Sequence, residues 1–187
     1  LERRTKPVII TNRPAREGGR FEGSEEERIA ALKLAIQLQA DYVDIEHDSI
    51  QHIRRDTVHR VPTKLIVSYH NFCETPDNLI SIYQKLNQYG ADIIKIVTYA
   101  NTITDNIKIY SLLQEAQAPL ISFCMGEYGI ISRILYKRFG SYLTFAALQK
   151  GKESAPGQIT IHELLHVYRA QKQDKDTAIY GLIGNPV

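Results

Sequence analysis

Short, β-branched apolar runs alternate with helix-period segments along this chain, and that alternation restricts its fold more than any other feature. The runs are residues 7–12 (PVIITN), 42–45, 64–68 (KLIVS), 92–97 (DIIKIV), 119–124 (PLISFC) and 142–148. They are mostly continuous in hydrophobicity, as strands covered on both faces are, because neither face meets water. Between them lie helical periods. Ser24 is placed to cap residues 25–39, with Glu27 three positions on completing a capping box. Thr75 is placed to cap residues 76–89, where Pro76 takes the tolerated first helical position. Residues 104–115, 128–138 and 160–169 follow, and residues 50–59 form a weaker candidate. A βα unit repeated about six times predicts an α/β protein with a parallel sheet and outer helices.

Two architectures compete. A doubly wound sheet usually carries a Gly-rich phosphate loop after its first strand. Here that loop reads RPAREGGRFEG, without GxGxxG and with charges where backbone must approach phosphate. A (β/α)8 barrel of the TIM type wants eight units and at least about 200 residues. The chain has 187 residues and about six units, so the barrel reading predicts that the first two units are missing. The opening LERRTKP, with no initiator Met, fits a sequence that starts inside a larger protein.

Composition excludes several function classes. A formal net charge of +2 with no long Lys/Arg run gives no footprint for nucleic acid. Arg54 and Arg55, the densest basic pair, read as a solvated helix face. No run of 18 apolar residues spans a membrane, and no signal peptide is visible. Cys73 and Cys124 have no CxxC spacing, which predicts a reduced intracellular chain.

Chemistry is predicted at the strand ends. Arg13 follows the first run, Glu46 ends the second, His70 sits just past the third, Lys95 lies within the fourth and Met125 ends the fifth. Ser154 and Gln158 fall in the loop after the sixth. In a barrel these converge on the carboxyl-terminal rim. Lys95 stands in the apolar strand DIIKIV, where desolvation lowers an amine's pKa and leaves it able to attack a carbonyl. His70 stands one strand away and is the type of residue that takes and returns a proton near neutral pH. Glu17 is placed to orient His70 through its other ring nitrogen. Arg13 and Arg133 are candidate anion clamps, since guanidinium grips a carboxylate bidentately.

The sequence His162-Glu163-Leu164-Leu165-His166 matches HExxH. No Glu or His follows His166 to act as a third ligand. The segment is expected to bury Ile161, Leu164, Leu165 and Tyr168 as an outer barrel helix, with both histidines exposed. No metal is expected.

In order, the blocks RPAREGG (Arg13 to Gly19), SYHNF (Ser68 to Phe72), IKI around Lys95, GIISRI (Gly129 to Ile134) and SAPGQ (Ser154 to Gln158) resemble the type I 3-dehydroquinate dehydratases. The resemblance covers about residues 7–169. It implies that Lys95 forms an imine with the C3 ketone of 3-dehydroquinate and that His70 removes a C2 proton and helps the C1 hydroxyl leave. It implies that Glu17 assists His70. It also implies substrate contacts from Arg13, Arg133, Ser154 and Gln158, with Glu46, Met125 and Phe72 completing the site. No cofactor is implied. In this family two more βα units precede the strand at residues 7–12, and Glu2-Arg3-Arg4 is not the family's Glu-x-Arg motif.

The tail IYGLIGNPV resembles the first strand of a shikimate dehydrogenase domain. The implied division is a dehydratase barrel over residues 1–170 and a linker with the start of the dehydrogenase over 171–187, from a fused bifunctional protein. The small-molecule substrate is the main partner, with no nucleic acid or membrane. Open sheet edges favour association, so a homodimer is one expectation. The expected compartment is the cytoplasm, or the plastid in a plant. Two alternatives stay beside this reading: an inactive truncated fragment or binding scaffold, and another Schiff-base lyase of class I aldolase type.

Overall fold

A computed structural model of the chain describes residues 4–53 and 61–180. Five parallel strands form one sheet: β1 (Ile9–Thr11), β2 (Tyr42–Glu46), β3 (Lys64–His70), β4 (Ile93–Tyr99) and β5 (Leu120–Met125). Their spatial order is their chain order. A doubly wound sheet reverses its order at a switch point. A sheet that adds each strand to the same side is an arc of a barrel, which is the fold class expected.

Among the described residues, four α-helices cover the outer face: α1 (Glu25–Gln37), α2 (Leu79–Asn87), α3 (Asp105–Glu115) and α4 (Ile130–Ile134). The period-two geometry of the strands divides the core in two. Val43, Ile45, Leu65, Val67, Ile94, Ile96 and Leu120 face the helices and pack with Leu32, Ile36, Leu86, Ile109 and Leu112. Ile66, Ile93, Val97, Ile121, Phe123 and Met125 form a smaller inner cluster. Lys95 lies between Ile93 and Val97, on the inner side of β4.

Ser24 caps α1 as predicted: its hydroxyl accepts from the Glu27 N–H, and the Glu27 carboxylate accepts from the Ser24 N–H. Thr75 caps no helix. Its buried hydroxyl donates to the Tyr99 carbonyl at 2.9 Å and lies 2.9 Å from the Thr98 hydroxyl. The helix begins later, at Leu79. The helix predicted over residues 128–138 shrinks to a 3-10 turn (Glu127–Gly129) and the short α4. Of residues 50–59, Ile50–His52 make a 3-10 turn, and residues 54–60, with Arg54 and Arg55, lie outside the described residues.

The sixth apolar run, residues 142–148, is not a strand. Its first N–H donates to Leu120, whereas Ala147 bonds Ile159 and Ile161 further along the chain. A segment split between two partners builds no ladder. It still sends Leu143 and Phe145 against the inner cluster. Residues 160–169 form a π-helical turn (Glu163–Val167) rather than a full helix. Leu164 is buried there, but Ile161 and Tyr168 are exposed, contrary to expectation. The exposed His162 and His166 rings lie 4.9 Å apart. Among the described residues no three His, Cys, Asp or Glu side chains group as metal ligands, and no helix is long and apolar enough to cross a membrane.

Candidate active site

The carboxyl-terminal ends of the strands open into a cleft of about 600 Å³. Arg13, Glu17, His70, Phe72, Lys95, Met125, Arg133, Ser154 and Gln158 all line it. Residues far apart in sequence therefore meet in one place. Glu46 does not line the cleft. It is fully buried, and its two oxygens are held by Arg13 and Arg28 at 2.6 and 2.5 Å. The expected substrate contact is, in this structure, an ion partner beneath the cleft.

Register explains how Lys95 is held. In a parallel sheet, paired residues project to the same face, and Glu46 pairs with Ser68 while Ser68 pairs with Lys95. This row crosses β2, β3 and β4 on the concave side. One step below it, Asp44 reaches up: its Oδ2 accepts from Lys95 Nζ at 2.8 Å and from Arg13 Nη2 at 2.8 Å. Its Oδ1 accepts from the Ser68 hydroxyl at 2.7 Å. The Phe145 ring covers the amine, with Nζ 4.7 Å from its centroid.

Burial pushes the Lys95 amine below its ordinary range, and Arg13 adds to that, while Asp44 opposes it. Burial would also raise the Asp44 carboxyl, but Lys95 and Arg13 outweigh it and hold it well below the usual carboxylate range. Arg13 keeps its charge because Asp44, Glu46 and Glu17 together exceed the cost of its burial.

His70 ends β3, where the Asn71 N–H donates to the Val97 carbonyl at 2.9 Å and fixes the strand's last turn. Its Nδ1 lies 2.7 Å from Glu17 Oε2, which leaves Nε2 to face a ligand. Burial lowers its pKa well below the ordinary value, and the nearby Lys95 and Arg13 lower it further. Burial raises the Glu17 carboxyl to about 7. The loop that carries Glu17 is a 3-10 turn (Ala15–Glu17) closed by two glycines. Gly18 has φ +73°, and the Phe72 ring lies where its Cβ would be; Phe72 in turn stacks on His70 with centroids 6.1 Å apart.

Arg133 projects from α4 and is 1% exposed. Its guanidinium lies 4.2 Å over the Phe123 ring. The donors it does use are long, at 3.5 Å to the Phe145 and Pro156 carbonyls, and its Nε has no partner among the described residues. Burial brings its pKa down to about 10. A buried cation that lines a cleft with its donors only weakly engaged is suited to an anion. Ser154 and Gln158 sit on the opposing loop and bond each other, the Ser154 N–H donating to Gln158 Oε1 at 2.7 Å.

Sequence reasoning missed Asp44, Ser68, Arg28 and Phe145. Asp44 carried a signal as plain as that of Lys95: a carboxylate inside the apolar strand YVDIE, two residues before Glu46 and so on the same face.

The sequence matches the family model for Type I 3-dehydroquinase over residues 1–175. It is 43% identical over 185 residues to the chloroplastic bifunctional 3-dehydroquinate dehydratase/shikimate dehydrogenase of Arabidopsis thaliana, covering 97% of this chain and 31% of that protein. It is 39% identical over 176 residues to a 3-dehydroquinate dehydratase of Dehalococcoides mccartyi, covering 92% of this chain and 79% of that protein. Among solved structures, the 3-dehydroquinate dehydratase of Geobacillus kaustophilus superposes with a TM-score of 0.78 at 32% identity, covering 87% of this chain and 66% of the other. The chain thus spans under a third of the plant relative's length and about two thirds to four fifths of the other two.

Proposed function

Because the chain belongs to the type I 3-dehydroquinase family, we propose that it dehydrates 3-dehydroquinate to 3-dehydroshikimate through an imine on Lys95. The observation that carries this is the shared cleft of Lys95 and His70, with the imidazole oriented by Glu17 at 2.7 Å.

The neutral Lys95 amine attacks the C3 ketone, and water leaves to give an iminium. That cation is an electron sink for the bond broken next. Asp44 at 2.8 Å supplies a counterion for the ammonium and for the iminium alike. Neutral His70 takes the C2 proton through Nε2, giving an enamine. It then returns the proton to the C1 hydroxyl, which departs as water while the enamine electrons form the C1–C2 double bond. A second water hydrolyses the iminium and frees the amine.

Arg133 receives the substrate carboxylate, since it lines the cleft, its Nη donors make only long 3.5 Å bonds and its charge is buried. Ser154 and Gln158 meet the substrate hydroxyls from the far side of the cleft, Met125 gives an apolar wall and Phe72 closes the rim beside His70. Arg13 serves the substrate and the buried carboxylates together. We place residues 171–187 at the junction to a shikimate dehydrogenase domain, supported by the bifunctional plant relative; residues 181–187 lie outside the described residues. We place the activity in the cytoplasm, or in the plastid if the source is a plant. Homodimerisation is part of the same proposal.

Borohydride reduction in the presence of 3-dehydroquinate tests the mechanism. Mass spectrometry is expected to find one reduced adduct, on Lys95. A folded protein without that adduct, or dehydration by Lys95→Ala, overturns it.

A further inference from the structure

Arg28 sits on α1, does not line the cleft, and is nevertheless 1% exposed. Its Nη1 donates to Glu46 at 2.5 Å and to the Asn12 carbonyl at 2.8 Å. Its Nε and Nη2 grip Glu25 at 2.8 and 2.7 Å. The other Glu46 oxygen accepts from Arg13 Nη1 at 2.6 Å. Arg13 reaches Asp44 with Nη2, on the same oxygen that binds Lys95. Charges alternate along the whole path from Glu25 through Arg28, Glu46, Arg13 and Asp44 to Lys95.

We propose that Arg28 is a positioning residue for imine formation: by sharing Glu46 with Arg13, it leaves Arg13 free to share Asp44 with Lys95. This rests on the reading of Lys95 as the imine-forming amine. The physical cause is competition for one guanidinium. A buried carboxylate must keep a cation partner. With Arg28 gone, Glu46 keeps Arg13 as its one cation among the described residues. It draws Arg13 toward itself and away from Asp44. Asp44 then has Lys95 as its one cation among the described residues, and an ammonium with an undivided counterion keeps its proton to higher pH. Fewer amines are then neutral at a given pH, and attack on the ketone slows.

The groups that face Lys95 come from every element around it. They are Asp44 on β2, Arg13 and Glu17 after β1, His70 at the end of β3, and the Phe145 ring after β5. Glu25 and Glu46 are the carboxylates that face Arg28, and Arg16 and Ser49 contact the same Glu25.

The test is the pH dependence of the rate at which 3-dehydroquinate forms a borohydride-trappable imine in the intact protein. Arg28→Met is expected to move the midpoint of that curve up by about one unit and to slow trapping at pH 7 by up to about tenfold, the equivalent of one unit. Arg28→Lys keeps one charge but loses the fork, and is expected to move the midpoint the same way by less. In an E46Q background the same Arg28 substitutions are expected to leave the midpoint where E46Q alone puts it. Loss of thermal stability with an unmoved midpoint in both Arg28 variants overturns the proposal, as does an equal shift in the E46Q background. A folded wild-type protein that traps no imine instead overturns the functional reading beneath it.

Discussion

Asp44 and Lys95 touch across a strand that belongs to neither: their carboxylate and ammonium lie 2.8 Å apart on β2 and β4, with β3 between them. The two residues project to the same concave face, and the long Lys95 side chain reaches over β3 to meet Asp44. Neither partner is exposed beyond 8% of its side chain. Asp44→Asn keeps the shape but leaves Arg13 and Lys95 without their shared anion. Breaking a buried pair from one side costs about 3–5 kcal/mol. Urea denaturation is expected to show a loss of that order, and the pH midpoint for imine trapping on Lys95 is expected to move down, because the amine loses the carboxylate that helps it keep its proton. A stability within 1 kcal/mol of wild type, roughly the level of an exposed pair, contradicts this account.

Glu17 is expected to set the acid limb of the proposed dehydration. Below its pKa of about 7 the carboxyl is protonated and donates to His70 Nδ1, which leaves the imidazole proton on Nε2, the nitrogen meant to act as base. Above it the carboxylate accepts from Nδ1–H, and Nε2 carries a free lone pair. His70 itself stays neutral across this range, because burial, Lys95 and Arg13 hold its pKa well below 6.5. The expected sign follows: kcat is expected to rise with pH through about 7. Glu17→Gln accepts from Nδ1–H at every pH but cannot offset imidazolium charge. Its kcat is expected to fall by about 10²-fold, within the range of general acid–base effects, with the limb near pH 7 gone. A variant that keeps that limb assigns it to another group.

The strands with continuous β-branched runs were legible because both their faces are dry, as at Leu65, Ile66 and Val67. The α1 start was legible because Ser24 and Glu27 need only local geometry to cap it. Residues 142–148 misled because Leu143 and Phe145 are apolar for the sake of the inner cluster, not of a ladder. Thr75 misled because its hydroxyl serves Thr98 and Tyr99, residues distant in sequence. Lys95 stood out as a costly residue in an apolar strand, and His70 and Arg133 by their chemistry near it. Asp44 carried the same signal inside YVDIE and was overlooked, whereas Arg28 was not legible, because its ties to Glu46 and the Asn12 carbonyl exist only after folding.

Two adjacent glycines separate steric necessity from tolerance. A Cβ on Gly19 would lie 1.7 Å from the Arg13 carbonyl oxygen, and backbone cannot swing aside. A Cβ on Gly18 would lie 2.5 Å from the Phe72 ring, a half-exposed side chain that can rotate. Gly18→Ala carries φ strain of about 1–2 kcal/mol and lifts Phe72 from His70. It is expected to raise KM several-fold while kcat stays within about threefold. Gly19→Ala is expected to displace Arg13 and to lower kcat and stability together. Equal behaviour of the two variants in steady-state kinetics and thermal melting contradicts this distinction.

Glu25 makes stability depend on acid. The hydrogen bonds from Arg28 come first among the causes that bring its carboxyl from 4.5 down to about 2, with Ser49 and the Arg28 and Arg16 charges adding to them. A carboxyl depressed in the folded state binds fewer protons there than in the unfolded chain. Its contribution is therefore complete above pH 4.5 and disappears as pH falls from 4.5 toward 2. Glu25→Gln removes that dependence, and its amide oxygen still accepts one Arg28 donor. The urea midpoint of the variant is expected to lie below that of wild type at pH 5.5, where Glu25 is ionised in both states, and the gap is expected to narrow steadily on going to pH 3. A gap of constant size across that range would mean that Glu25 acts through packing alone, and that the Arg28 end of the charge path is not electrostatically coupled to it.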